Sequence, residues 1–233
     1  MLDSAAMAFP GLADRVAEVK RRIDDARKRG GHGQQVTIVA VTKTHGPGAA
    51  RAAYDCGLHD VGENKVQEAL RKVAAVDVPV RWHLIGHLQR NKVKALDNFV
   101  LMHSLDSARI ANAVCEYGIA RGRAVDVLVQ LRLSGEETKG GFSPAELLPE
   151  AERLATLAGI RVRGVMTMAS FTATEQELHR TFAAAREARQ VLAEAGHPAV
   201  EASMGMSNDY EIAVEEGATI VRLGTTLFGA RDK

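Results

Sequence analysis

Short runs of β-branched and aliphatic residues alternate with stretches of helical length along almost the whole chain, and this alternation limits the fold more than any other feature. The runs are Val36–Thr42, His59–Gly62, Val80–Ile85, Phe99–Ser104, Val125–Leu131, Ile160–Met166, Val200–Ser203 and Thr219–Leu223. Strand, helix, strand is the grammar of a parallel sheet, because parallel neighbours need a long crossover. Two α/β architectures satisfy it: a (β/α)8 TIM barrel and a doubly wound sheet. Eight runs is the number that closes a barrel, and no glycine-rich dinucleotide fingerprint follows the first. The expectation is a single (β/α)8 barrel. An extra helix, Leu12 to Arg29, precedes it and ends at Gly30-Gly31-His32-Gly33. No linker, low-complexity tract or internal repeat divides residues 1–233, which read as one domain.

Composition agrees with a crowded barrel interior. Aromatic residues are only 4% of the chain, so the core must be built from Ala, Val, Leu and Ile, which suit a parallel sheet buried on both faces. Two helix starts are explicit: Ser143-Pro144-Ala145-Glu146 and Thr174-Glu175-Gln176-Glu177 are capping boxes, the first with proline at the first helical position. The second opens a helix with the apolar face Leu178, Phe182, Ala185 and Leu192, closed by Gly196.

Several functions are excluded or disfavoured at this level. Thirty Lys plus Arg against 29 Asp plus Glu leave a net charge of +1, and no basic run exceeds Lys20-Arg21-Arg22, so nucleic acid is not the expected partner. Cys56 and Cys115 cannot form a disulfide framework, and no CxxC pair points to zinc or redox chemistry. The N-terminus lacks the basic region and apolar core of a signal peptide, and no stretch approaches the ~18 apolar residues of a membrane span. The expected location is the cytoplasm.

Reactive groups of a barrel gather at the C-terminal ends of its strands, often with a phosphate site after strands seven and eight. The first strand ends Val41-Thr42-Lys43-Thr44. Burial of Lys43 would favour its neutral, nucleophilic form, as a Schiff-base lysine needs; the alternative is a strand-end lysine reaching solvent or a carboxylate. The seventh strand runs into Ser203-Met204-Gly205-Met206-Ser207-Asn208-Asp209 and the eighth into Arg222-Leu223-Gly224-Thr225-Thr226. Two small, hydroxylated loops at those places favour a phosphate group over plain loop glycines. Arg222 should point into the same mouth, either beside a ring nitrogen or as an anion clamp. Gly62-Glu63-Asn64-Lys65 and Met166-Thr167-Met168-Ala169 add polar and thioether groups at other strand ends, with methionine most often core filler. His83 and His87 lie four apart, but Gly86 spoils the helical face a metal pair needs, so hydrogen-bonded histidines are expected and no metal. Glu136, Glu137 and Lys139 read as a solvated loop. A lysine facing a phosphate site fits an aldehyde that carries a phosphate, and pyridoxal 5′-phosphate (PLP) is the obvious candidate.

Here the motifs identify a family. The segments Val39-Ala40-Val41-Thr42-Lys43-Thr44, Gly62-Glu63-Asn64-Lys65-Val66-Gln67-Glu68, Trp82 to Lys92, Ser203 to Ser207 and Val221 to Arg231 closely resemble the pyridoxal 5′-phosphate homeostasis proteins, single-barrel relatives of the alanine racemase N-terminal domain. The match runs in order from residue 36 to the end; before it only a helix of suitable length corresponds. The resemblance implies an internal aldimine on Lys43 and Arg222 beside the pyridine nitrogen. It implies Ser207, Gly224 and Thr225, with the Met206 backbone, around the phosphate, and Asn64 and Met166 near the ring. It also implies a carrier or regulator of the cofactor, with no established catalytic residue. Ser170 departs from the family, where proline commonly follows the Met-Ala pair, which bears on the shape of the sixth loop.

Three functions compete on this reading: a PLP carrier that buffers the cofactor and hands it to apoenzymes, an amino-acid racemase of the same fold type, and a Schiff-base aldolase without the cofactor. Racemisation needs a base on each face of the α-carbon. Lys43 supplies one, but Tyr54, Tyr117 and Tyr210 all fall in helical segments, and the second domain that carries the other base in alanine racemase is not expected here. The aldolase lacks a clear acid–base carboxylate near Lys43. A monomeric carrier is expected.

Overall fold

The structure is a computed structural model and describes residues 9–133 and 140–229. The leader reading of the N-terminus, the loop reading of Glu136, Glu137 and Lys139, and the Ala230-Arg231 end of the last motif lie outside the described residues.

Eight parallel strands close into a barrel in sequence order: β1 (Thr37–Val41), β2 (Asp60–Glu63), β3 (Arg81–Leu84), β4 (Leu101–Leu105), β5 (Val125–Gln130), β6 (Ile160–Met166), β7 (Glu201–Met206) and β8 (Ile220–Leu223). Pairing of β1 with β8, Thr37 opposite Ile220 through Ala40 opposite Leu223, closes the ring and rules out the doubly wound alternative. The anticipated extra helix is α1 (Leu12–Gly30). The barrel helices are α2 (Gly48–Asp55), α3 (Val66–Ala75), α4 (Ala108–Ala120), α5 (Pro144–Ala155), α6 (Glu175–Glu194), α7 (Tyr210–Glu215) and α8 (Thr225–Phe228), with a 3₁₀ helix (Arg90–Asn98) between β3 and β4.

Local chemistry explains these elements. On α1, Leu12, Val16, Val19, Ile23 and Ala26 recur at intervals of three and four, so one stripe is buried, against α7 and α8. Both anticipated caps form: the Ser143 N–H donates to Glu146 Oε2 at 2.8 Å and the Thr174 N–H to Glu177 Oε2 at 2.7 Å.

The seventh strand is longer than the sequence pattern indicates, running to Met206 rather than ending at Ser203. Ser203 lies opposite Ile220 and Met206 opposite Arg222, three steps against two, which is a β-bulge. Gly205 sits in it with φ of 91°, a conformation that favours glycine, and a Cβ there would come within 2.9 Å of the Tyr210 Cα. The bulge breaks the period of two, so the pattern ends early.

Inside the barrel, Val39, Leu101, Leu128, Met166 and Ile220 form an apolar cluster separate from the layer between strands and helices. Beside it lie buried polar side chains, among them His83, His103, Ser203 and Arg222, which lead to the site.

Candidate functional site

At the C-terminal mouth a cavity of about 510 Å³ is lined by Lys43, Asn64, Met206, Ser207, Arg222, Gly224 and Thr225, the residues singled out from sequence with one exception. Met166 is buried in the apolar cluster, and Met168, two positions on, lines the cavity with Ile85 and Phe171. A wider groove of about 780 Å³ runs outside the barrel along α1 and α7; it shares Ser207 to Asp209 but contains neither Lys43 nor Arg222.

Lys43 is half-buried just past β1, on a segment held from both sides. The Thr42 hydroxyl donates to Glu63 Oε1, and Lys72 Nζ reaches the Thr42 carbonyl oxygen at 2.7 Å. The same ammonium donates to Glu63 Oε1 at 2.7 Å and Glu68 Oε1 at 2.8 Å, while the Thr44 N–H donates to Glu68 Oε1 at 2.7 Å. Thr44 has φ of 70°, the one positive value at a non-glycine among the described residues. A β-branched residue there costs on the order of 1–3 kcal/mol, so the surroundings must impose the turn. Glu63 is fully buried, and its Oε2 has no hydrogen-bond partner among the described residues. Burial pushes its carboxyl above the usual carboxylate range, against the pull of Lys72 and Thr42. Burial acts the same way on Glu68, but the bonds from Lys72 and Thr44 outweigh it and lower that group.

The loops after β7 and β8 meet at the opposite wall. Ser207 Oγ accepts the N–H groups of Gly224 at 3.3 Å and Thr226 at 3.2 Å, and the Thr226 hydroxyl donates to the Ser207 carbonyl. The Met206 N–H is fixed by Asp209 Oδ1 at 2.6 Å. Burial pushes the Asp209 carboxyl up, opposed by that bond and by Arg222. The result is a pocket wall of backbone, hydroxyls and small side chains, the surface an anion with several oxygens needs.

Arg222 projects from β8 and is buried. Its Nη1 donates to the Ser203 carbonyl at 2.8 Å and Ser203 Oγ at 2.6 Å, and its Nη2 to the Thr167 carbonyl at 2.9 Å. Burial pulls its pKa down to about 10, opposed by Asp209, so it remains a cation at neutral pH. Asn64 is placed by close contact: a Cβ on Gly86 would lie 2.1 Å from the Asn64 carbonyl oxygen.

Ser203 leads to His103 and Asp60, which the sequence does not single out, and to His83, hydrogen-bonded as expected. His103 Nδ1 lies 2.8 Å from Ser203 Oγ, His83 Nδ1 lies 2.9 Å from His103 Nε2, and His83 Nε2 lies 2.9 Å from Asp60 Oδ1. His87 instead pairs with Asp106 at the surface, 2.6 Å away. No cluster of three or more metal-ligating side chains occurs among the described residues. Lys72 carries a signal in the sequence as well: it stands in the buried stripe of α3, Val66, Ala69, Lys72, where an unpartnered lysine would be costly.

Comparison with known proteins bears on the family and the fold. The alanine racemase N-terminal domain family matches residues 15–232. Pyridoxal phosphate homeostasis protein of Aquifex aeolicus is 40% identical over 222 residues, 94% of this chain and 97% of that protein. The protein of the same name from Pseudomonas aeruginosa is 40% identical over 224 residues, 95% of this chain and 96% of its own length. Among solved structures, PipY of Synechococcus elongatus with PLP bound superposes with a TM-score of 0.83 at 36% identity, covering 94% of this chain and all of that one. Alanine racemase of Corynebacterium glutamicum, 17% identical with a TM-score of 0.74 over 95% of this chain and 61% of that one, shares the fold. Matched over nearly its whole length by proteins of one name, and carrying their barrel, this chain belongs to the pyridoxal phosphate homeostasis protein family.

Proposed function

We propose that this chain binds PLP in the mouth of its barrel, covalently at Lys43, and serves as a carrier of the cofactor. The observation that carries the reading is the shared cavity: Lys43, Ser207 and Gly224 of the hydrogen-bonded cradle, Thr225 and Arg222 line one space of about 510 Å³, large enough for a small heteroaromatic phosphate. When bound, the cofactor supplies an aldehyde carbon for an amine to attack. The chain's own contribution is positional. Lys72, Glu63 and Glu68 present Lys43; Ser207, Gly224, Thr225 and the Met206 backbone receive the phosphate; Asn64 lies beside the ring, with Met166 as support from below. Arg222, a donor-only cation, would face the pyridine nitrogen and keep it unprotonated, leaving the ring a weaker electron sink than a carboxylate partner would.

The racemase alternative needs a second base in the cavity. Tyr54 meets His59 edge to face, the Tyr117 hydroxyl donates to the Lys94 carbonyl, and Tyr210 is buried at the start of α7; none lines this cavity. Carriage therefore fits better than catalysis, with PLP-dependent apoenzymes as the recipients. Two free cysteines suit a reducing cytoplasm, and we read the protein as a one-domain monomer there. Among the described residues no helix is long and apolar enough to cross a membrane.

The test is absorbance of the purified protein mixed with PLP, followed by borohydride reduction and peptide mass spectrometry. A visible band and a reduced adduct on the Lys43 peptide, both lost in Lys43→Ala, support the proposal. An adduct scattered over surface lysines overturns it.

A further inference from the structure

Five side chains cross the barrel interior in one unbroken hydrogen-bonded string: Arg222, Ser203, His103, His83 and Asp60. His103 stands on β4 and Ser203 on β7, opposite walls of the barrel, so their contact can form only through the centre. His103 and Ser203 are wholly buried, and His83, Asp60 and Arg222 nearly so. Outside, Arg81 closes the string with two bonds to the Asp60 carboxylate.

The two ends differ in kind. A guanidinium only donates and an ionised carboxylate only accepts. Burial opposes ionisation of Asp60, but the bonds from His83 and Arg81 overcome it and hold its pKa at about 2. Full burial, with the Arg222 cation nearby, depresses His103 well below the usual histidine range, so that ring is neutral. Working inward from Asp60, His83 donates through Nε2–H and accepts at Nδ1. His103 then donates to it through Nε2–H and accepts at its own Nδ1. The hydrogen that fills that last place belongs to the Ser203 hydroxyl. Every N–H and O–H therefore points from Arg222 towards Asp60. An added proton would reverse the order and place a further cation between Arg222 and Arg81, whose charges Asp209 and Asp60 already balance one for one.

We infer that His103 and Ser203 are positioning residues for Arg222: the string turns the Ser203 hydroxyl hydrogen away from the guanidinium and its lone pairs towards it, fixing the pose in which Arg222 meets a ring nitrogen in the cavity. The role assigned to that pose rests on the PLP reading, whereas the order of the string does not.

The experiment has two arms. Nitrogen-15 NMR of the histidine side chains, on protein without PLP at pH 8, should find both His83 and His103 neutral with the proton on Nε2. A proton on Nδ1 of either ring, or a charged ring, overturns the ordered string. In the second arm the protein is titrated with PLP and followed by absorbance. His103→Leu removes the acceptor for Ser203 and should weaken binding about tenfold, the scale of one lost hydrogen bond beside a charge, and shift the visible band. His103→Gln, which can accept and donate along the same line, should restore the band and bring affinity back to within about threefold of the parent. A His103→Leu protein with lowered Tm but unchanged affinity and spectrum makes His103 purely structural and overturns the inference. If the parent protein itself takes up no PLP, the cofactor reading fails while the NMR arm still judges the string.

Discussion

Lys72 Nζ lies 2.7 Å from the backbone carbonyl oxygen of Thr42, thirty positions earlier, and so holds the residue just before Lys43. The lysine that reaches the cavity is thus placed by a second, buried lysine whose charge is met by Glu63 and Glu68. Removing one partner of a buried pair strands the other in a medium that cannot solvate it. Lys72→Met should therefore destabilise the fold by about 3–5 kcal/mol, and Lys72→Met with Glu63→Leu by much less. Urea unfolding of the two variants checks this. A single variant within 1 kcal/mol of the parent would mean that Glu63 is protonated and needs no partner.

Thr44 supplies a test of strain in the same segment. Its φ of 70° suits glycine and penalises a β-branched side chain. Thr44→Gly should raise stability by about 0.5–1 kcal/mol, after the extra entropy of the unfolded chain is subtracted. It should also loosen the approach of Lys43, so covalent uptake of PLP should slow although the fold is firmer. Stopped-flow absorbance together with urea unfolding reads both effects, and a loss of stability would show that the turn is not strained.

Gly86→Ala probes the contact that places Asn64. The new Cβ would fall 2.1 Å from the Asn64 carbonyl and 2.5 Å from its Oδ1, so the β2–α3 turn must move. Overpacking of this kind costs about 1–3 kcal/mol. PLP affinity should fall by about tenfold or more if Asn64 contacts the ring. Unchanged affinity in a destabilised variant would place Asn64 outside the binding surface.

The barrel was legible because its evidence is local and repeated: each strand is a short apolar run, and two helices carry their own caps. The chemistry at strand ends was legible for a related reason, since Lys43, Ser207 and Gly224 stand where a barrel puts its mouth. Other features depend on closure. His103 and Ser203 are 100 positions apart and become neighbours only when β4 and β7 face each other across the interior. Met166 follows from the family resemblance, and the sequence alone does not show depth: Met166 ends β6 within the apolar cluster, while Met168, past the end of the strand, lines the cavity. The bulge at Gly205 likewise hid the last turn of β7, which is what carries Met206 to the cavity.

Asp60 gives the fold a defined response to acid. Its carboxyl falls from the ordinary 3.8 to about 2, because the bonds from His83 and Arg81 outweigh its burial. A carboxyl depressed on folding contributes stability that is complete above its unfolded pKa and disappears as pH falls through the folded one. That difference corresponds to about 2 kcal/mol, complete at about pH 5 and above, mostly lost by about pH 2 and gone near pH 1. Asp60→Asn cannot titrate, so the gap between parent and variant should narrow by most of that amount as the pH drops from 5 to 2. Glu63, whose carboxyl is raised by burial, works in the opposite direction, gaining stability on protonation, but it is common to both proteins and cancels in the difference. Urea unfolding at several pH values measures the gap. A constant gap would mean that Asp60 keeps its ordinary pKa in the folded protein, and the acceptor end of the string through the barrel would then have to be reassigned.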